Sequence, residues 1–440
     1  MPANNAIKKL LSCFGSPSKK TSTAPQVPSK RPVPAQTEKQ DALPVNLSNK
    51  PNMAAATATT LNIGIVNKTT SSTVYAYVTG TALDNNNALF LLQADGKTPY
   101  YPTSPSNTQT PLSKNCSIKL GAPGSTTTVT IPHLAGARIW FCIGEELTFL
   151  LNPGPALVEP SVTNNSDPSI KKRWDFAEFT FNSTEIYANI TYVDFVSIPI
   201  ALDLVNTSGV STHVSGMDQN GLNTVCSGLQ AQTAKDGKGW SSLIVKASDG
   251  SNLRALAPND GIIMNNSLFS GYYDSYVNAV YSKYATDTLK VDTQSSYGVL
   301  NGKVSNNVLT VGSETFNKPS TADIFSNSTG PFANPSGSAQ RNVIIPRLAA
   351  AFNRSTFLVD TQTPAASTSS YYTNAITNHY ARIVHAANLD KKGYSWPYDD
   401  VAPTGGADQS GAVYGAPKTF TVTVGGNGAT ASKKKKNGGS

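Results

Sequence analysis

Trp174-Asp-Phe-Ala-Glu-Phe-Thr-Phe-Asn182 alternates between two kinds of side chain with a period of two. A period of two is the signature of a β-strand, whose successive side chains point to opposite faces. One face carries Trp174, Phe176, Glu178, Thr180 and Asn182, and the other carries Asp175, Ala177, Phe179 and Phe181. Upstream, Asn62-Ile-Gly-Ile-Val66, Val74-Tyr-Ala-Tyr-Val78, Thr126-Thr-Thr-Val-Thr-Ile131 and Ala137-Arg-Ile-Trp-Phe-Cys142 are short runs rich in β-branched or aromatic residues. Gly and Pro clusters separate them, as they do between strands. Downstream, Tyr192 to Leu204 reads as a strongly apolar strand region, and Thr419-Phe-Thr-Val-Thr-Val424 as a closing strand.

The middle of the chain changes period. Tyr273, Val277, Val280, Tyr281 and Tyr284 form one helical stripe, with Ser270 as its expected cap. Ile376, Tyr380, Ile383, Val384 and Ala387 repeat the spacing, and Gly393 is the expected stop. Pro346 is expected to open a helix through Phe352. Val299-Leu-Asn-Gly-Lys-Val304 reads as a hairpin turning at Asn-Gly.

The chain has 440 residues, a formal charge of +8, 14% charged residues, 33 Gly and 28 Pro. Residues 1–52 carry +6 and Lys433 to Lys436 carry +4, which leaves −2 for everything between. The basic charge is therefore in the ends, and the body does not read as a specific nucleic-acid binder. Both ends, 1–52 and 425–440, read as disordered. The longest apolar stretch, Phe195 to Val205, is broken by Ser197, Pro199 and Asp203, which excludes a membrane span there. Four scattered cysteines allow one disulfide but fit no zinc ribbon. His379 and His385 lie six apart, so on one helix they face different ways and read as structural.

Nucleophile elbows, phosphate loops and dinucleotide fingerprints are absent. Carboxylates remain. Glu178 shares its face with two aromatic rings, Thr180 and Asn182, a set suited to sugar: rings pack on pyranoses and polar groups bond hydroxyls. Asp194 lies inside Tyr192-Val-Asp-Phe-Val-Ser-Ile-Pro-Ile200, where a buried carboxylate is costly unless paired or at work. Two acids on neighbouring strands facing one cleft are the minimum apparatus for glycoside hydrolysis. The plain alternative is an exposed Glu and a turn-capping Asp.

The pieces Arg138-Ile-Trp-Phe, Asp167-Pro168, Trp174-Asp-Phe-Ala-Glu-Phe-Thr, Ala188-Asn-Ile-Thr, Val193-Asp-Phe-Val-Ser-Ile-Pro-Ile200 and Gly393-Tyr-Ser-Trp-Pro-Tyr-Asp-Asp-Val401 resemble glycoside hydrolase family 64, the endo-β-1,3-glucanases. The resemblance covers about residues 60–425. It implies a mainly β fold: a thaumatin-like β-barrel or sandwich (60–210 with 400–424), a smaller mixed α/β part (211–399) and a wide groove between them. It implies inverting hydrolysis of β-1,3-glucan to short oligosaccharides, with Glu178 as general acid and Asp194 as general base. Thr180, Asn182, Tyr187 and Thr191 fall at the family's glucan-contacting positions. No metal or organic cofactor is implied, and the chain reads as a monomer. The resemblance implies an enzyme of a kind that is normally exported, whereas the first residues here show no recognisable signal peptide. The alternative function is a non-catalytic β-glucan-binding protein on the same scaffold, ranked second because both acids are present.

Overall fold

The computed structural model describes residues 57–426. The Lys-rich segments expected to be disordered lie outside those residues, apart from Gly425 and Gly426, whose amides donate to the Pro199 carbonyl.

The fold is mainly β. Two large sheets dominate it. One has five strands in the spatial order Ser211–Val214, Ile200–Asn206, Pro417–Val424, Thr60–Asn67 and Thr126–Pro132. The other has eight, and from one edge it runs Ala412–Gly415, Ile186–Ile190, Arg173–Phe181, Leu134–Ile143, Val74–Ala82, all antiparallel. The closing strand pairs in parallel with the first, Ile63 opposite Phe420. The first and last strands of the described residues therefore meet in one sheet, a pairing no local pattern encodes.

Strand alternation decides which side chains enter the core. Ile63, Ile65, Val129 and Ile131 of the five-stranded sheet belong to the same buried cluster as Ile139, Phe141, Phe179 and Phe181 of the larger one. Arg138, Trp140, Glu178 and Thr180 consequently point to the larger sheet's other face. Register slips by one residue between Phe179 and Phe181, where Gly136 on the neighbouring strand takes a left-handed φ of 52°. Glycine adopts that conformation without a Cβ penalty, which makes it a natural bulge residue.

Further sheets of three, three and five strands and six α-helices fill the rest of the described residues. The tyrosine stripe is helical over Asp274–Thr286, with Tyr276, Val277, Val280, Tyr281 and Tyr284 buried. Ser270 does not cap it: a turn from Phe269 to Asp274 precedes the helix. The second stripe is helical over His379–Ala387, capped by Asn378 and ended at Asn388 rather than at Gly393.

Two local expectations are corrected. Val299–Ser305 is one strand, not a hairpin, and the chain turns at Asn306-Asn307, with φ of 50° and 60°. Asparagine tolerates the left-handed region, so Asn-Asn serves the turn. Gly302 instead lets two strands approach: a Cβ there would lie 3.1 Å from Val311 Cγ2 and 3.2 Å from Leu289 Cβ. Pro346 lies within the helix Ala339–Asn353, which Ser338 opens by accepting from the Arg341 amide at 3.2 Å. The lost backbone hydrogen bond is offset by burial, since residues 344–353 are all buried. Cys116, Cys142 and Cys226 are buried free thiols. Among the described residues, no helix is long and apolar enough to cross a membrane.

Candidate active site

Cross-strand register assembles the site. In an antiparallel pair, residues directly opposite each other share a face. Thr79 faces Arg138, Arg138 faces Glu178, and Glu178 faces Asn189. Four strands thus contribute one polar row on the face opposite Phe179 and Phe181. The next row pairs Thr180 with Tyr187, and Tyr187 with Tyr414.

This face is covered at one end and open at the other. Trp174 and Phe176 are 1% and 3% exposed, whereas Tyr187 and Tyr414 are 39% and 63% exposed. The expected sugar platform of Trp174 and Phe176 is therefore corrected. Trp174 packs edge-on against Phe195 at 4.8 Å and donates its indole N–H to the Ser169 carbonyl at 2.9 Å. Phe176 packs on Trp140 at 4.7 Å, with the Arg138 guanidinium above it at 4.7 Å. Arg254, from the strand Asn252–Leu256, stacks on Trp174 at 5.6 Å. Alternation assigns residues to a face; distant segments decide how much of that face is covered.

Arg138 is the hub. Its Nε donates to Glu178 Oε1 at 3.2 Å, and its Nη1 to Glu159 Oε2 at 2.5 Å. Asp194 is close enough to act on the same guanidinium electrostatically. Burial works to lower the Arg138 pKa, but Glu159, Glu178 and Asp194 together outweigh it and hold the charge on. One cation faces three carboxylates, and the carboxylates show the shortage. Burial pushes Glu159 up, and Glu178 adds to this while Arg138 opposes it. Burial also raises Asp194 to about 6, with Arg138 opposing and Glu178 and Glu159 reinforcing. These are two of the recognised causes of a raised carboxyl pKa, desolvation and like charge.

Asp194 is not on a strand beside Glu178. It occupies a bend just before the short strand Phe195–Val196. That bend is tied down from several sides. Tyr192 donates its hydroxyl to Asn388 at 2.9 Å, and its carbonyl accepts from the Tyr380 hydroxyl at 2.8 Å. The Asp194 carbonyl accepts from the Ala257 amide at 2.8 Å. Asp175, on the core face of the Glu178 strand, accepts from the Ser197 and Ile198 amides at 2.8 and 2.9 Å. Burial raises Asp175 to about 7, against those amides and Arg254. A further acid, Asp260, sits in the first turn of the helix Pro258–Met264, and burial together with Asp194 raises it well above the usual carboxylate range.

The four remaining expected residues divide. Thr180 is half-buried and Tyr187 exposed, side by side next to Glu178. Asn182 uses its side-chain oxygen to accept from the Thr184 amide, the Thr184 hydroxyl and the Glu185 amide at 2.9, 2.7 and 3.0 Å, closing the turn between two strands. Thr191 is 5% exposed, and its hydroxyl accepts from the Val193 amide at 3.4 Å. Sequence reasoning missed Glu159, Asp175 and Asp260 and treated Arg138 only as part of a motif. Asp175 carried a usable signal, an acid on the apolar face of an alternating strand. Glu159, in a loop, carried none. Among the described residues, no cluster of three His, Cys, Asp or Glu side chains could hold a metal ion.

Residues 59–424 match the glycoside hydrolase family 64 model, described as "Beta-1,3-glucanase". The chain is similar to a glucan endo-1,3-beta-glucosidase of Cellulosimicrobium cellulans, 29% identical over 317 residues, covering 68% of this chain and 56% of the relative. It is also similar to a protein of the same name from Arthrobacter sp. (strain YCWD3), 30% identical over 285 residues, covering 62% and 50%. The chain thus spans about half the length of the curated relatives it matches. Among solved structures, a laminaripentaose-producing β-1,3-glucanase crystallised with laminaritetraose superposes with a TM-score of 0.74 at 30% identity, covering 83% of this chain and 98% of the other. A β-1,3-glucanase domain from Clostridium beijerinckii shares the fold at a TM-score of 0.65 and 22% identity, covering 85% and 100%.

Proposed function

The chain belongs to the β-1,3-glucanases of glycoside hydrolase family 64, and from that premise we propose that it cleaves β-1,3-glucan internally, by inversion, with Glu178 and Asp194 as its two working carboxyls. The observation that carries this reading is that Arg138 binds Glu178 on the partly open face of the larger sheet and lies within the electrostatic reach of Asp194. Glu178 gives its proton to the departing glycosidic oxygen. Asp194 takes a proton from a water that attacks the anomeric carbon from the opposite side. A base is most effective when its pKa lies near the working pH, and burial moves Asp194 toward neutral, to about 6. Arg138 remains charged throughout and stabilises whichever carboxyl is ionised.

In this reading the substrate runs along the open end of the face, past Thr180 and Tyr187, where the Tyr187 ring packs on a sugar. The two large sheets form the family's thaumatin-like body, with the groove beside it, and the protein works as a monomer that releases short oligosaccharides. A product assay on linear β-1,3-glucan with the full chain, following anomeric configuration by NMR at early times, tests it. The expected result is α-anomeric oligosaccharide from the wild type and none from Glu178→Gln. β-Anomers at early times overturn inversion. Retention on glucan without any release overturns hydrolysis and leaves a binding protein.

A further inference from the structure

Glu159 takes no part in that two-carboxyl scheme, yet it is bound to its centre. It follows the short strand Ala156–Val158, outside the large sheet, and reaches back to Arg138 Nη1 at 2.5 Å and to the Thr79 hydroxyl. Thr79 is itself held by the Trp140 indole N–H at 3.0 Å. The guanidinium is a rigid planar fork, so a partner on one edge sets the direction of the other. Here the second edge points Nε at Glu178, while the flat face lies over Phe176.

We propose that Glu159 is a positioning residue of this site: it fixes one edge of the Arg138 guanidinium, orients the other toward Glu178 and takes a share of the cation that would otherwise serve Glu178 and Asp194 alone. The inference rests on the glucanase reading for its kinetic consequence but not for its electrostatic one. The ionisable groups around the cluster come from six other segments. They are Arg138, Glu178, Asp194, Asp260 facing Asp194, Tyr187 in the field of Glu178, and Tyr380 in the field of Asp194. Only Arg138 among them is a cation. Removing the Glu159 charge therefore gives Arg138 more fully to Glu178 and Asp194 and relieves a repulsion on Asp194.

The test is a carboxyl ¹³C NMR titration of the full chain, with the Asp194 signal assigned through Asp194→Asn. In Glu159→Gln, which keeps a hydrogen bond to Thr79, the Asp194 midpoint is expected to fall by about one pH unit, the size of effect a charge at such range produces. Glu159→Asp, which keeps the charge, is expected to restore it. The acid limb of kcat/KM on linear β-1,3-glucan moves down with the midpoint. Should Glu159→Gln not fold, Glu159→Ser gives the same readout, since this side chain is already 31% exposed. An unmoved Asp194 midpoint in a folded variant overturns the proposal, whatever happens to activity. A wild type that does not cleave glucan overturns the glucanase reading instead, while the titration still decides the role of Glu159.

Discussion

Asp194 and Asp399 are both carboxylates held near an arginine, and they differ in how that arginine is shared. Asp399 is fully buried and accepts from Arg354 Nη2 at 3.1 Å on one oxygen. Its other oxygen meets His385 Nε2 at 2.8 Å and accepts from the Ser395 amide at 3.0 Å. Arg354 spends further donors on the Asp399 and Val401 carbonyls and lies between the Tyr371 and Trp396 rings. One acid there has a cation and a histidine to itself. Around Arg138, three acids divide one cation, on a face that is partly open. A buried charge that is matched serves structure, because leaving it unmatched is expensive. An excess of carboxylates raises proton affinity into the working range, which is what acid–base chemistry requires.

The widest separation of the two clusters is expected in turnover. Glu178→Gln should lower kcat on β-1,3-glucan by roughly 10²–10⁴-fold with an unchanged urea midpoint. A variant that loses stability in proportion to activity would merge the two clusters into one class. Asp399→Ala should do the reverse. It leaves Arg354 buried without its partner and should cost about 3–5 kcal/mol in urea denaturation. The folded fraction should retain turnover within a few-fold. A cost below about 1 kcal/mol would show that the matched cluster is not structural.

Asp194→Asn sharpens the contrast, because one substitution should abolish turnover and stabilise the fold. The folded pKa of about 6 lies above the ordinary aspartate value of 3.8. The native state therefore binds this proton more tightly than the unfolded chain, and ionising Asp194 costs folding energy. The neutral amide avoids that cost, so Asp194→Asn should gain on the order of 1–3 kcal/mol at pH 8 and nothing below about pH 4. Urea melts at the two pH values decide it.

The smallest effect is on the wild type alone. Asp194 and Asp175, raised to about 6 and about 7, contribute stability at low pH that is lost as pH rises through those values. His385 has the same sign. Burial lowers its pKa, but the charge and hydrogen bond of Asp399 prevail and raise it, so its contribution is present below 6.5 and lost above its folded value. The melting temperature should fall by a few degrees from pH 5 to pH 8. In Asp399→Asn the His385 share of that fall should disappear.

Much of this was legible in the residues. The alternation of Trp174 to Asn182 put Glu178 and Thr180 on one face of a strand, opposite Phe179 and Phe181, and the tyrosine stripe marked its helix. The failures share one cause. Trp174 and Phe176 looked like a sugar platform because their covering partners, Phe195 and Arg254, come from further along the chain. Asn301-Gly302 looked like a turn because a glycine that admits close strands looks the same locally as one that bends. Asp194 was flagged by the cost of an acid in an apolar run, but nothing local could say that it sits on a bend held by Asp175, Tyr192 and Ala257.

By itself, then, the chain's sequence determined the faces of its strands, the stripes of its helices, the charge of its ends and the two acids worth watching. Periodicity and desolvation cost act over a few residues, so they can be read locally. Only the tertiary structure decided that the first and last described strands pair, that Glu159 reaches Arg138 from outside the sheet, and that Asp194 falls in the field of a guanidinium already bound to Glu159 and Glu178. Those depend on cross-strand register and on loops that return from elsewhere in the chain. The electrostatic field at each carboxyl is a sum over such neighbours, most of them distant in sequence.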